Sequence, residues 1–237
     1  MSKTSLGYQA LASAFRSKVE RGIWPISEAI PSEASLSKEY GVAVGTIRQA
    51  IAELAEEGIL IKRHGKSTMV SGGLNGQSML RFFRYQLGSQ EQLAPQAEVL
   101  DLKEIPLDKE IAKLTGWTCK SLLKIHRVRL IDGRPLLYET IHLPLPKFKK
   151  LISYMTNDFE DLFYPMYAKS CGIAVIKAKD QVSFELMKKA DAKALAMKEG
   201  HPAVRVNRIA FDLTGKPVEF RSSVGDAMAF QYSAEVN

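Results

Sequence analysis

A chain of 237 residues that is 46% hydrophobic and 25% charged has enough apolar material for one or two packed domains, which excludes a disordered or fibrous polymer. No run of about 18 apolar residues occurs, so no membrane-spanning helix is expected; two cysteines without CxxC spacing exclude a disulfide framework. The net charge of +7 permits nucleic-acid binding without requiring it, because residues 1–72 contribute +2 and residues 73–237 the other +5.

The N-terminus, MSKTSLGYQALASAF, lacks the continuous apolar stretch of a signal peptide, which predicts a cytoplasmic chain. From Tyr8 the repeat Leu11, Phe15, Val19 predicts a helix closed near Gly22. Ser32 is a fitting N-cap for a second, short helix carrying Leu36, and Tyr40-Gly41-Val42 marks a tight turn. A third helix is predicted over residues 44–57, closed by Gly58, with Ile47, Ala50, Ile51 and Leu54 as its apolar stripe. That stripe leaves Gly45, Thr46, Arg48 and Gln49 pointing away from the core near the helix start. Two short strands follow, 59–62 and 68–70, joined by the cationic tip Arg63-His64-Gly65-Lys66-Ser67.

Helix, helix, turn, helix and hairpin is the order of a winged helix-turn-helix. Its third helix presents small and donor side chains where a recognition helix meets base edges, and Arg48 can offer two parallel N–H groups. The acids Glu53, Glu56 and Glu57 lie toward the other end of that helix, away from a duplex. Gly65-Lys66-Ser67 ends like a phosphate-binding loop, but Leu60 stands where that motif needs its first glycine.

In order and spacing, Ile30-Pro31-Ser32-Glu33, Tyr40-Gly41-Val42, Thr46-Ile47-Arg48-Gln49-Ala50-Ile51, Leu54, Glu57-Gly58 and Arg63-His64-Gly65-Lys66 resemble the winged helix of the GntR family. The resemblance implies binding to a double-stranded DNA operator, with Ser32, Gly45, Thr46, Arg48, Gln49, Arg63, His64, Gly65 and Lys66 at the duplex. The chain departs from the family pattern at Ala34, where an arginine is usual, and at Ala43-Val44, where Ser-Arg is usual.

Residues 71–78, rich in glycine and polar side chains, read as a linker, which predicts a first domain over 1–72, a linker over 73–79 and a second domain over 80–237. Beyond it, strands over 123–131 and 136–143 flank the turn Asp132-Gly133, and strands over 204–212 and 218–224 flank Thr214-Gly215. These hairpins look like an internal repeat, each preceded by a short amphipathic helix, at 108–114 and 191–197. Between them a helix is predicted over 159–168 and a strand over 175–186. A doubled helix-plus-hairpin unit predicts an α+β domain built on an antiparallel sheet.

Arg127-Val128-Arg129, the Asp132-Gly133 turn, Glu139, Leu143-Pro144 and Thr214-Gly215-Lys216-Pro217-Val218-Glu219-Phe220 resemble the UTRA domain, of chorismate lyase-like fold, that follows GntR winged helices in the HutC subfamily. This implies a domain that binds a small-molecule effector and forms a homodimer, and hence a metabolite-modulated regulator of transcription, a repressor. Arg127 and Arg129 leave the same sheet face, Glu139 lies on the paired strand and Glu219 on the second hairpin. Together they are the candidate effector-binding residues, for a polar, anionic ligand; a salt-bridged open sheet face is the other reading of the same four. Relatives that sense sugar phosphates carry Ser and Tyr where this chain has Asp158 and Glu160, and a Tyr where it has Gly225.

Two alternatives compete with a regulator: an enzyme of the lyase fold, and an architectural DNA-binding protein without effector. The histidines His64, His126, His142 and His201 show no metal-ligand spacing, and no nucleophile elbow or dinucleotide glycine cluster occurs. No catalytic residue, metal or cofactor is therefore expected.

Overall fold

The computed structural model describes residues 7–62, 67–74 and 96–230. Helix α1 (Tyr8–Glu20) buries Leu11, Ala12, Phe15 and Val19 on one face, and Trp24 folds back onto Phe15 with ring centroids 5.1 Å apart. Ser32 caps α2 (Glu33–Tyr40) by accepting from the Ser35 amide at 3.1 Å. The helix ends at Gly41, which takes a left-handed φ of 65°. Helix α3 (Val44–Glu56) buries Ile47, Ala50, Ile51 and Leu54, and its N-cap, Ala43, makes no side-chain bond. Strands β1 (Leu60–Lys62) and β2 (Thr68–Val70) pair antiparallel. Ala29 adds a bridge to Met69 that its sequence does not announce. The predicted hairpin tip, Arg63, His64, Gly65 and Lys66, lies outside the described residues.

The second part contains β3 (Gln96–Pro106), α4 (Lys109–Thr115), β4 (Ser121–Ile131), β5 (Arg134–Pro144), α5 (Phe163–Cys171), β6 (Val175–Leu186), α6 (Lys189–Ala194), β7 (Pro202–Asp212) and β8 (Pro217–Asp226). The strands form one six-stranded sheet in the order β3-β4-β5-β8-β7-β6, and every described pairing is antiparallel. The order is symmetric about its centre. Each half is a strand, a short helix and a hairpin, and the halves meet where β5 pairs β8 from Leu137–Gly225 to His142–Phe220. The repeat is therefore longer than helix plus hairpin: β3 mirrors β6. At the first hairpin Asp132 and Gly133 both take positive φ, 50° and 71°, the pair of left-handed residues that a tight hairpin turn requires.

Two predicted helices are shifted. Helix α5 starts at Phe163 rather than 159, which puts Pro165 in its first turn, where a missing N–H costs nothing. Helix α6 ends at Ala194 rather than 197, and Ala196 leaves it with a φ of 53°.

One sheet face packs against α5 through Leu123, Ile125, Ile141, Leu143, Phe163 and Tyr167. On the other face α4 covers Leu122 and Phe220, and α6 covers Ala203 and Val224. Between those two helices His142 is buried and stacks on Phe220 at 5.9 Å, and its Nδ1 has no hydrogen-bond partner among the described residues. Burial, with the charge of Lys124 nearby, pushes the imidazole down to about 4. The native state thus keeps His142 neutral while the unfolded chain protonates it near pH 6.5, so stability is full above that pH and falls as the pH drops toward 4. Unfolding titrations at pH 7 and pH 4.5 should show this loss, and His142→Gln should reduce it.

The two parts touch. Ala174 and Leu213 join the buried cluster of the winged helix, with Ile176 packed against it. The first residues of the expected linker are held here. Ser71 is buried and donates its N–H to Ile59 O at 2.8 Å. Gly73, at φ 93°, lies so close to Val175 that an added Cβ would sit 3.0 Å from its backbone N and O. The Leu74 amide donates to Val175 O at 2.7 Å. Residues 75–79 of the expected linker lie outside the described residues.

Candidate functional site

Beneath α5 the structure brings Arg127, Arg129, Glu139 and Glu219 into one cluster, each at most 1% exposed. An open, solvated sheet face is therefore excluded. Alternation along each strand explains the convergence, because Arg127 and Arg129 share a face of β4 and register sets Arg127 directly opposite Glu139 on β5. Arg127 Nε donates to Glu139 Oε2 at 2.5 Å, and Arg129 Nε approaches the same oxygen at 3.3 Å. Arg129 Nη1 also donates to the Asp161 carbonyl at 2.8 Å.

Three further kinds of residue belong to this cluster and were not predicted. Arg221 follows Glu219 by two positions on β8; it donates to Glu219 at 2.9 Å and approaches Glu139 Oε1 at 3.4 Å. Ser223, two positions on again, donates to Glu139 Oε1 at 3.0 Å. From α5, Tyr164 and Tyr167 donate their hydroxyls to the two Glu219 oxygens at 3.2 and 2.7 Å. Of the two positions at which the chain departs from sugar-phosphate-sensing relatives, Asp158 caps its own turn at Met155 and Glu160 pairs with Lys169 at the surface. Phe163 lies 3.9 Å beneath the Arg127 guanidinium.

Burial and charge oppose each other here. Burial drives the Glu139 carboxyl up, but Arg127, Arg221 and Arg129 outweigh it and hold it below the usual carboxylate range. Burial likewise works against Arg221, and Glu219 and Glu139 outweigh it, so its guanidinium stays well above the ordinary value. Burial and the adjacent Arg127 lower Arg129 to about 9, which leaves it charged at neutral pH. Tyr164 is pushed up to about 12 by burial and by Glu219, so it is a neutral donor. Arg208 is matched separately by Asp180, at 2.6 and 2.7 Å. Among the described residues, Arg127, Arg129 and Arg221 therefore face Glu139 and Glu219, three positive groups against two negative ones. Arg127 Nη1 and Nη2 and Arg221 Nε are buried with no hydrogen-bond partner among the described residues.

In the winged helix, Gly45, Arg48 and Gln49 are exposed along the start of α3, while Thr46 is half-buried. Ser32 serves as the cap of α2. Arg48 donates to Glu33 at 2.5 Å in an exposed pair, and such surface pairs hold an arginine weakly, by roughly 0–1 kcal/mol. Among the described residues no group of His, Cys, Asp and Glu could hold a metal ion, and no helix is long and apolar enough to cross a membrane.

Residues 90–231 match the model of the UTRA domain, and residues 7–70 match the model described as bacterial regulatory proteins, gntR family. The chain is 24% identical over 218 residues to the probable fructoselysine utilization operon transcriptional repressor of Escherichia coli (strain K12), covering 89% of this chain and 86% of that protein. It is 25% identical over 228 residues to the HTH-type transcriptional repressor NagR of Bacillus subtilis (strain 168), covering 94% of this chain and 92% of NagR. PhnF from Mycobacterium smegmatis shares the fold, with a TM-score of 0.56 at 22% identity over 94% of this chain and 98% of PhnF. These relatives are named as regulators, which sets the enzyme reading aside, and a matched UTRA domain sets aside an architectural protein without effector.

Proposed function

The chain belongs to the UTRA-domain regulators of the bacterial gntR family, and from that premise we propose that a small anionic metabolite enters the buried arginine–glutamate cluster and sets the affinity of the winged helix for its operator. The protein is a DNA-binding regulator of transcription that responds to a small effector. Arg127 carries the reading of the site. Buried guanidinium N–H groups without partners are rare and costly, and among the described residues both terminal nitrogens of Arg127 are in that state, beside three arginines that face two glutamates. A carboxylate or phosphate oxygen pair would satisfy both nitrogens and cancel the charge. Arg129, Glu139, Glu219 and Arg221 orient that anion and accept or donate to the rest of the molecule.

Ligand can act only through unequal affinity for two arrangements of the protein. The path runs through α5. Phe163, Tyr164 and Tyr167 close over the cluster, and the chain leaving α5 reaches Ala174 and Ile176, which pack into the winged-helix core. An anion that displaces the tyrosines from Glu219 moves α5, and with it the surface on which the DNA-binding part rests.

On the DNA side, Gly45, Thr46, Arg48 and Gln49 meet base edges and phosphates, Ser32 holds α2 to the backbone, and Arg63, His64, Gly65 and Lys66 supply the wing. Two copies of the chain, as a homodimer, read half-sites about one helical turn or a small multiple apart. Arg48→Ala should weaken binding to a selected operator by on the order of 1–3 kcal/mol while leaving binding to scrambled DNA unchanged. Fluorescence anisotropy on both duplexes at one salt concentration checks this; equal losses on both would remove Arg48 from base reading.

A further inference from the structure

The two outer strands of the sheet are related by the internal repeat, yet they are finished in opposite ways. Strand β3 exposes Glu98, Asp101, Lys103 and Glu104 and carries a bulge at Leu100, the devices that keep an edge from pairing with another chain. Strand β6 runs in unbroken register with β7 from Lys177–Phe211 to Leu186–Pro202. Its last turns expose an apolar row, Val182, Phe184 and Leu186, the latter two 69% and 68% exposed. All three share a face with Asp180, which pairs Arg208. Exposed Met228 follows the end of β8, where the Ala227 amide donates to the carbonyl of Pro202, the register partner of Leu186. An apolar edge of this kind, in regular register and covered by no described element, is an association surface.

We propose that this edge of β6 is the contact between two copies of the chain, paired antiparallel about a two-fold axis through Phe184. The proposal rests on the homodimer reading above and adds the surface to it. Its support is self-complementarity. In that register Phe184 faces Phe184 of the partner subunit, Val182 faces Leu186 of the partner subunit, and Asp180 faces Lys188 of the partner subunit. Apolar side chains meet apolar ones and opposite charges meet, as stable cross-strand pairs require. Lys188 is exposed and its backbone is extended at ψ 155°, so the pairing continues past the end of β6. A two-fold axis normal to the sheet keeps the same face on the same side, so both ligand clusters face one way and the contact is isologous.

Sedimentation equilibrium of the full chain tests the surface. The wild-type chain should be dimeric, and Phe184→Asp, which sets two carboxylates face to face on the axis, should raise the dissociation constant at least about tenfold. A second readout does not depend on that variant folding. With Cys119 and Cys171 replaced by serine, Phe184→Cys should form an inter-subunit disulfide on mild oxidation, because directly paired antiparallel Cα atoms lie roughly 4.5–5.5 Å apart. Lys103→Cys on β3 should not. A monomeric wild-type chain would overturn the homodimer reading itself and leave the edge to another partner. A wild-type dimer that Phe184→Asp leaves intact, or that Phe184→Cys fails to cross-link, would overturn the β6 surface alone.

Discussion

Glu139→Gln should lower the unfolding free energy of the C-terminal domain by on the order of 3–5 kcal/mol, the usual cost of removing one partner from a buried ion pair. The substitution keeps the size of the side chain, so no cavity is created and the loss reports charge. Glu139 is shared by Arg127, Arg129 and Arg221 and also accepts from Ser223. Without the Glu139 charge, Glu219 is the one carboxylate left to those guanidiniums among the described residues of this buried cluster. Glu219→Gln should cost less, since one tyrosine hydroxyl can still donate to the amide oxygen while the other can turn to accept from the amide nitrogen. Denaturant titration of the three proteins checks the order. A Glu139→Gln chain as stable as wild type would mean that the arginines are not charged partners in the cluster.

Arg127→Ala should cost less stability than Glu139→Gln and more ligand affinity. It removes one of three positive groups and two terminal nitrogens that have no partner among the described residues, while Glu139 keeps Arg129, Arg221 and Ser223. The domain therefore stays folded. Ligand affinity should fall by about thirtyfold or more, since truncating one side of a buried charged contact costs at least about 2 kcal/mol. Operator affinity of the ligand-free protein should be unchanged, because Arg127 lies in the sheet and not among the winged-helix residues. Calorimetric titration with an anion that stabilises the wild-type chain checks the first part, and anisotropy on the operator checks the second.

The sequence reveals the strands better than their environment. Hairpin turns and alternation placed Arg127, Arg129 and Glu139 on facing strands, and the repeat placed Glu219 in the matching hairpin. The same alternation also places Arg221 and Ser223, two and four positions on, with Glu219, but in the sequence a strand arginine and serine carry no signal that separates a buried partner from a solvated side chain. Tyr164 and Tyr167 escaped for a different reason. The apolar run from Phe159 extends the helical pattern back through a turn, and only Pro165, tolerated in a first turn, marks where α5 begins. Strand β3 was invisible because an edge strand needs little burial, and Glu98, Asp101, Lys103 and Glu104 read as loop. The contact of Ala174, Ile176 and Leu213 with the winged helix is long-range, and no local pattern encodes it.

The most direct test is linkage between the cluster and the DNA. A panel of phosphates and carboxylates is screened for thermal stabilisation of the wild-type chain, and the best stabiliser is then added to operator titrations of wild type and Arg127→Ala. The account predicts that it shifts wild-type operator affinity by roughly 5–150-fold and leaves the Arg127→Ala affinity where it was. A stabiliser that shifts both proteins equally would place the effector site outside the arginine–glutamate cluster.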